Sequence, residues 1–148
     1  MRKLLLLLAV LALAGLPAGA VSLYIVPDVP TDLAGTTYLP WDVVRYDAGV
    51  YSLGLALPPG TSVDALHRLP GGHWLFSVEA PTDLGGNTYQ PSDVVRFDGL
   101  TYTLFFCGGP VGVPAGSDVD AVVLRDDNPG RLFVSFDVST TRRTSSSS

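Results

Sequence analysis

The sequence predicts an all-β protein made of two four-stranded antiparallel repeats of about 50 residues. Three observations predict it. Apolar residues alternate with period two in short runs, Gly, Pro, Asn and Asp interrupt those runs, and one block of the chain occurs twice. Pro30-Thr31-Asp32-Leu33-Ala34-Gly35-Thr36-Thr37-Tyr38-Leu39-Pro40-Trp41-Asp42-Val43-Val44-Arg45-Tyr46-Asp47 returns 51 residues later as Pro81 to Asp98, with 13 of 18 positions identical. Helices have little room among 12 prolines and 16 glycines.

The chain opens Met1-Arg2-Lys3, continues through an apolar run from Leu4 to Leu16, and reaches Pro17-Ala18-Gly19-Ala20. A basic start, an apolar core and a small-x-small close make a secretory signal peptide cleaved after Ala20. The run falls short of the roughly 20 apolar residues a spanning helix needs, although an uncleaved anchor is the competing reading. The expected organisation is a signal peptide over 1–20 and a single β domain over 21–138, with repeats at about 22–78 and 79–138. A disordered Ser/Thr/Arg tail is expected over 139–148. The expected location is secreted or periplasmic.

Within the domain, Ser22 to Val26 is a short strand standing before Pro30 as Ser77-Val78 stands before Pro81. Asp42 to Asp47 and Val50 to Leu57 form a hairpin through Ala48-Gly49, and Asp93 to Asp98 with Thr101 to Phe106 form its twin through Gly99. Val63 to Leu69 and His73 to Val78 pair across Pro70-Gly71-Gly72. Val119 to Arg125 and Arg131 to Val138 pair across Asp126-Asp127-Asn128-Pro129-Gly130. Trp74, Phe76 and Val78 share one face, as do Leu132, Val134 and Phe136. The segments Thr31 to Pro40 and Thr82 to Pro91 read as loops longer than a connection needs. The second copy carries an insertion around Gly108 to Ala115.

The blocks Ser77-Val78-Glu79, Ser135-Phe136-Asp137 and Asp93-Val94-Val95-Arg96-Phe97-Asp98-Gly99 resemble the tandem Ser-Phe-Asp and Asp-Val-Val-Arg-Phe-Asp-Gly repeats of uncharacterised exported bacterial proteins. The resemblance covers most of Ser22 to Val138 and implies a repetitive, propeller-blade-like β fold with no transferable activity. Two blades do not close a propeller. The expected alternatives are a compact barrel or sandwich, two propeller-like blades closing a ring between subunits, or a remnant of a longer array. Strands of about six residues are too short for an outer-membrane barrel.

Cleavage takes Arg2 and Lys3 from the nine basic residues, leaving seven against 14 acidic ones and a net charge of about −7. Such a chain is a poor partner for nucleic acid or for an anionic membrane surface. Cys107 stands alone, so no internal disulfide forms; at the end of a strand it reads as a small packing residue.

Signals of catalysis are sparse. Nucleophile elbows, phosphate loops and zinc spacings are absent, and His67 and His73 flank one turn without a third ligand. A hydrolase built on Glu79 and an aspartate ranks last. No cofactor is expected. Asp118-Val119-Asp120 and Asp126-Asp127-Asn128 are weak calcium candidates that hairpin turns explain as well. The repeated loops supply the candidate binding residues: Tyr38, Asp42 and Arg45, with Tyr89, Asp93 and Arg96. An aromatic ring beside Asp and Arg suits a sugar. The same residues also suit a structural role, with the carboxylates closing turns, the rings packing and the arginines paired. Expected partners are therefore a glycan, an extracellular protein or further copies of the chain.

Overall fold

A computed structural model describes residues 22–125 and 131–138. It is all-β, and its strands in chain order are β1 (Leu23–Ile25), β2 (Thr31–Leu33), β3 (Thr36–Tyr38), β4 (Asp42–Asp47), β5 (Val50–Ala56), β6 (Val63–Arg68), β7 (Trp74–Val78), β8 (Thr82–Leu84), β9 (Asn87–Tyr89), β10 (Val94–Phe97), β11 (Tyr102–Phe106), β12 (Ser117–Leu124) and β13 (Leu132–Val138). Short 3-10 turns at Pro70–Gly72 and Gly109–Val111 are the helical elements among the described residues. None of the helices there is long and apolar enough to cross a membrane. The signal segment, the Asp126–Gly130 turn and the Ser/Thr/Arg tail lie outside the described residues.

The segments read from sequence as long loops each contain a small hairpin, β2–β3 and β8–β9. Three-residue strands are too short for alternation to reveal. The turns carry the signal instead: Ala34 and Gly35 take φ of 53° and 83°, and Gly85 and Gly86 take 60° and 86°. Two consecutive positive φ values make the tight hairpin turn whose twist matches the flanking strands. Asp32 closes the first turn by accepting the Gly35 N–H at 2.8 Å.

Sheets do not follow the boundary between repeats. The first sheet is ordered β1-β4-β5 and the second β11-β10-β7-β6, while β12 and β13 make a third. The second sheet thus joins the last two strands of copy one to the first long pair of copy two. In it Leu75 faces Arg96 and Phe76 faces Val95. In the first sheet Tyr24 faces Arg45 and Ile25 faces Val44. These partners are 51 residues apart in each case, so β1 occupies on β4 the place that β7 occupies on β10.

The three sheets stack as layers, in the manner of a β-sandwich. Val43 and Leu55 of the first sheet pack on Trp74, Phe76, Val78 and Val95 of the second, with Leu84 and Tyr89 from the small hairpin closing the cluster. Tyr24 meets Trp74 edge-on at 4.9 Å, and the Arg68 guanidinium lies 5.5 Å and 5.7 Å from the two ring centres. The opposite face of the second sheet, Ala65, Leu75 and Val94, packs on Val119 and Val122 of the third sheet, with Leu132, Val134 and Phe136 alongside. Phe76, Leu75, Val94, Val95 and Val119 are fully buried. Each buried aliphatic or aromatic side chain contributes roughly 1.5–3 kcal/mol by leaving water.

Candidate functional site

The six residues singled out in the repeated loops are held as two matching sets. Leu39 N–H donates to Asp42 Oδ2 at 2.8 Å while Asp42 N–H donates to the Leu39 carbonyl at 2.9 Å. Gln90 and Asp93 repeat this arrangement at 2.9 Å and 2.9 Å. Tyr38 and Tyr89 are only 6% and 4% exposed, so neither ring has a free face for a sugar to stack on. Burial also pushes the Tyr89 hydroxyl above its ordinary pKa, partly offset by a hydrogen bond with Asn87. Arg45 donates to Asp47 and to Ser22, whereas Arg96 meets His73 Nδ1 at 2.8 Å.

Geometry keeps the members of each set apart. Tyr89 packs in the cluster that contains Val95, and Arg96, the next residue on β10, leaves the sheet on the other face. Tyr89 and Asp93 share a depression of about 340 Å³ with Tyr102 and Leu104 that excludes Arg96. Arg45 and Arg96 instead line niches between consecutive sheets, one beside Arg68, Tyr24 and Trp74, the other beside His73 and Arg125. His67 pairs in register with Leu75, so the two histidines serve different neighbours.

Cys107 sits beside Asp93. Burial, a hydrogen bond to Asp93 and that carboxylate's charge all push the thiol above its ordinary pKa. It is thereby kept protonated and a poor nucleophile. Among the described residues, no group of three or more His, Cys, Asp and Glu side chains could hold a metal ion. The Asp126-Asp127-Asn128 calcium candidate lies outside those residues.

A larger concavity, about 480 Å³, forms where the second copy departs from the first. The connection Gly109 to Asp118 has ten residues where its counterpart, Pro58 to Ser62, has five. The extra chain turns through Gly109–Val111, and Val113, Pro114, Ala115 and Gly116 form one wall. Gln90, Pro91 and Ser92 form another, held against β12 by the Val119 N–H donating to the Pro91 carbonyl at 3.0 Å. Glu79, Pro81, Ser117 and Asp118 complete the lining. The approach of the walls requires glycine at 108, because a Cβ there would meet the Ser92 carbonyl oxygen at 2.5 Å.

This cleft carries polar atoms with unspent bonding capacity. Ser117 is 3% exposed, and its Oγ, like Asp118 Oδ1, is buried with no hydrogen-bond partner among the described residues. Buried polar groups are nearly always paired, so these two oxygens are exceptions, but they lie inside the wall; the lining groups open to a ligand are the exposed Glu79 and Gln90 side chains. Glu79 already accepts from Ser62 Oγ at 2.6 Å. Among the described residues no Arg, Lys or His lines the cavity, while four proline or valine side chains offer apolar surface. Glu79 and Asp118 also lie near Asp64, whose pKa is raised by burial and then by Asp118, Asp120, Glu79 and Asp137.

In sequence, Asp118 reads as part of a weak calcium cluster and Glu79 as a hydrolase candidate, while Gln90, Ser92 and Ser117 carry no signal of their own. The available signal was the insertion itself, the one long departure from the repeat. Compared with protein-family models, curated proteins and solved structures, the chain matches none of them.

Proposed function

We propose that the chain is an exported, non-enzymatic β-repeat module that binds a neutral glycan in the cleft between the Gln90–Ser92 turn and the Gly109–Gly116 connection. Export rests on the Met1–Ala20 signal pattern. The observation that carries the binding assignment is the exposed Gln90 amide and Glu79 carboxylate set among proline and valine surfaces in the concavity of about 480 Å³. Hydroxyl-rich ligands suit this lining. Carboxylates accept hydroxyl protons, Gln90 both donates and accepts, and the proline and valine surfaces take the C–H faces of a sugar ring. With carboxylates and no cation among the described lining residues, the cleft favours a neutral ligand over an acidic or phosphorylated one.

Screening the mature chain, Val21 to Ser148, against neutral oligosaccharides tests this reading. Binding should weaken by about fivefold in Gln90→Ala, about 1 kcal/mol per hydrogen bond. It should be insensitive to salt. Strong salt dependence would point to a cationic partner instead. Hydrolysis of the bound oligosaccharide that is lost in Glu79→Gln would overturn the non-enzymatic assignment. Self-association is the second reading, favoured by apolar residues left open at both ends of the sheet stack.

A further inference from the structure

Both ends of the stack are unfinished, and independently of the cleft they match each other. In the interior sheet Leu75 is fully buried and Ala65 is 4% exposed. The residues in those places on the third sheet are Phe133, 49% exposed, and Ala121, also exposed, with Val123 open beside them. At the other end Leu23 is 53% exposed where its counterpart Trp74 is 5%. The outer edge of β13 is unpaired among the described residues, although the equivalent edge of β7 is paired with β10. A seven-residue edge with five apolar side chains is a template for another strand.

Register identifies that strand. Leu132, Phe133 and Val134 face Leu124, Val123 and Val122 across β12 as Trp74, Leu75 and Phe76 face Arg68, His67 and Leu66 across β6. β13 is therefore the third instance of the strand that β1 and β7 represent. Its residues match β1 type for type: Leu132 for Leu23, Phe133 for Tyr24, Val134 for Ile25. We infer that β1 is a three-residue placeholder, and that β13 of a second copy of this chain takes its place on β4.

In that exchange Leu132, Phe133 and Val134 of one copy face Tyr46, Arg45 and Val44 of the next, the register β1 now holds. Phe133 then takes the position of Tyr24 against Trp74 and Arg68, keeping the ring and losing only the hydroxyl. The partial third sheet of one copy and the partial first sheet of the next merge into a four-stranded sheet, β12-β13-β4-β5, like the interior one. The joint pairs two different surfaces, so copies add head to tail. This arrangement buries the open face of the third sheet and occupies the open β13 edge together.

Cysteine cross-linking tests the register in the mature chain carrying Cys107→Ser. Directly opposed residues on paired strands have Cβ atoms about 4.5–5.5 Å apart. Phe133→Cys with Arg45→Cys should form an intermolecular disulfide at least about tenfold faster than Phe133→Cys with Tyr46→Cys, because a one-residue slip turns the side chain to the opposite face. Deleting Ser22 to Val26 should also convert the chain to a larger species in light scattering, since it frees β4. Equal cross-linking by the two pairs, or a monomeric deletion variant, would overturn the exchange. An oligomer that forms without the in-register disulfide would also overturn it, in favour of face-to-face docking.

Discussion

The Ser77 hydroxyl donates a 2.8 Å hydrogen bond to the Val119 carbonyl oxygen, joining the second sheet to the third, while it accepts the Ala65 N–H at 2.9 Å. Ser77 is fully buried, and the bond spans 42 residues of sequence. It is a buried polar link between two largely apolar sheet faces. Ser77→Ala leaves an N–H and a carbonyl unpaired in the core, which costs about 1–3 kcal/mol. Urea unfolding should show that loss as a lower midpoint with an unchanged slope.

Ala34 provides a test in the opposite direction. Its φ of 53° lies in the left-handed region, where an L side chain costs roughly 1–2 kcal/mol. The matching turn of the second copy has Gly85. Ala34→Gly removes that strain and gives back part of it in chain entropy, so the variant should be more stable by about 0.5–1 kcal/mol. Thermal unfolding checks the sign.

Asp64 predicts how stability varies with pH. Its folded pKa is raised by burial and by the carboxylates of Asp118, Asp120, Glu79 and Asp137. A raised carboxylate favours the folded state below its unfolded pKa of about 3.9, and that contribution is lost as pH rises through the folded value. Asp64→Asn should therefore raise the melting temperature at pH 7. The gain should shrink in high salt and vanish below about pH 4.

Asp98 behaves in the reverse sense. The Thr101 N–H, the Leu100 N–H and the Thr101 hydroxyl all donate to its carboxylate, holding the pKa at about 2. Its contribution is present above the unfolded pKa of about 3.9 and is lost as pH falls toward 2. Asp98→Ala should loosen the β10–β11 hairpin at pH 7, with no difference from the parent chain near pH 2. Carboxylate chemical shifts followed by NMR report the titration directly.

Much of the fold was legible because duplication prints a pattern twice. The β4–β5 and β10–β11 hairpins, the β6–β7 and β12–β13 pairs and the place of β1 can be read from alternation and from turns such as Ala48-Gly49. Two things could not be read. β2–β3 and β8–β9 are too short to alternate visibly. The mixing of β6–β7 with β10–β11 is a choice of partner across copies, which local pattern does not encode. Tyr38 and Tyr89 illustrate the limit for the site: aromatic, repeated and near charge, they are core residues, and only packing reveals it. Ser117, the first residue of β12, has no pattern around it in sequence, and its burial without a partner is visible only in the structure.

NMR titration of the mature chain with a neutral oligosaccharide, following the backbone amides, tests the binding assignment most directly. Saturable shifts confined to Gln90–Ser92 and Gly109–Asp118 are expected, with about fivefold weaker binding in Gln90→Ala. Shifts centred instead on the Tyr89–Tyr102 depression or the Arg45 niche, or no shifts with any neutral oligosaccharide, would contradict it.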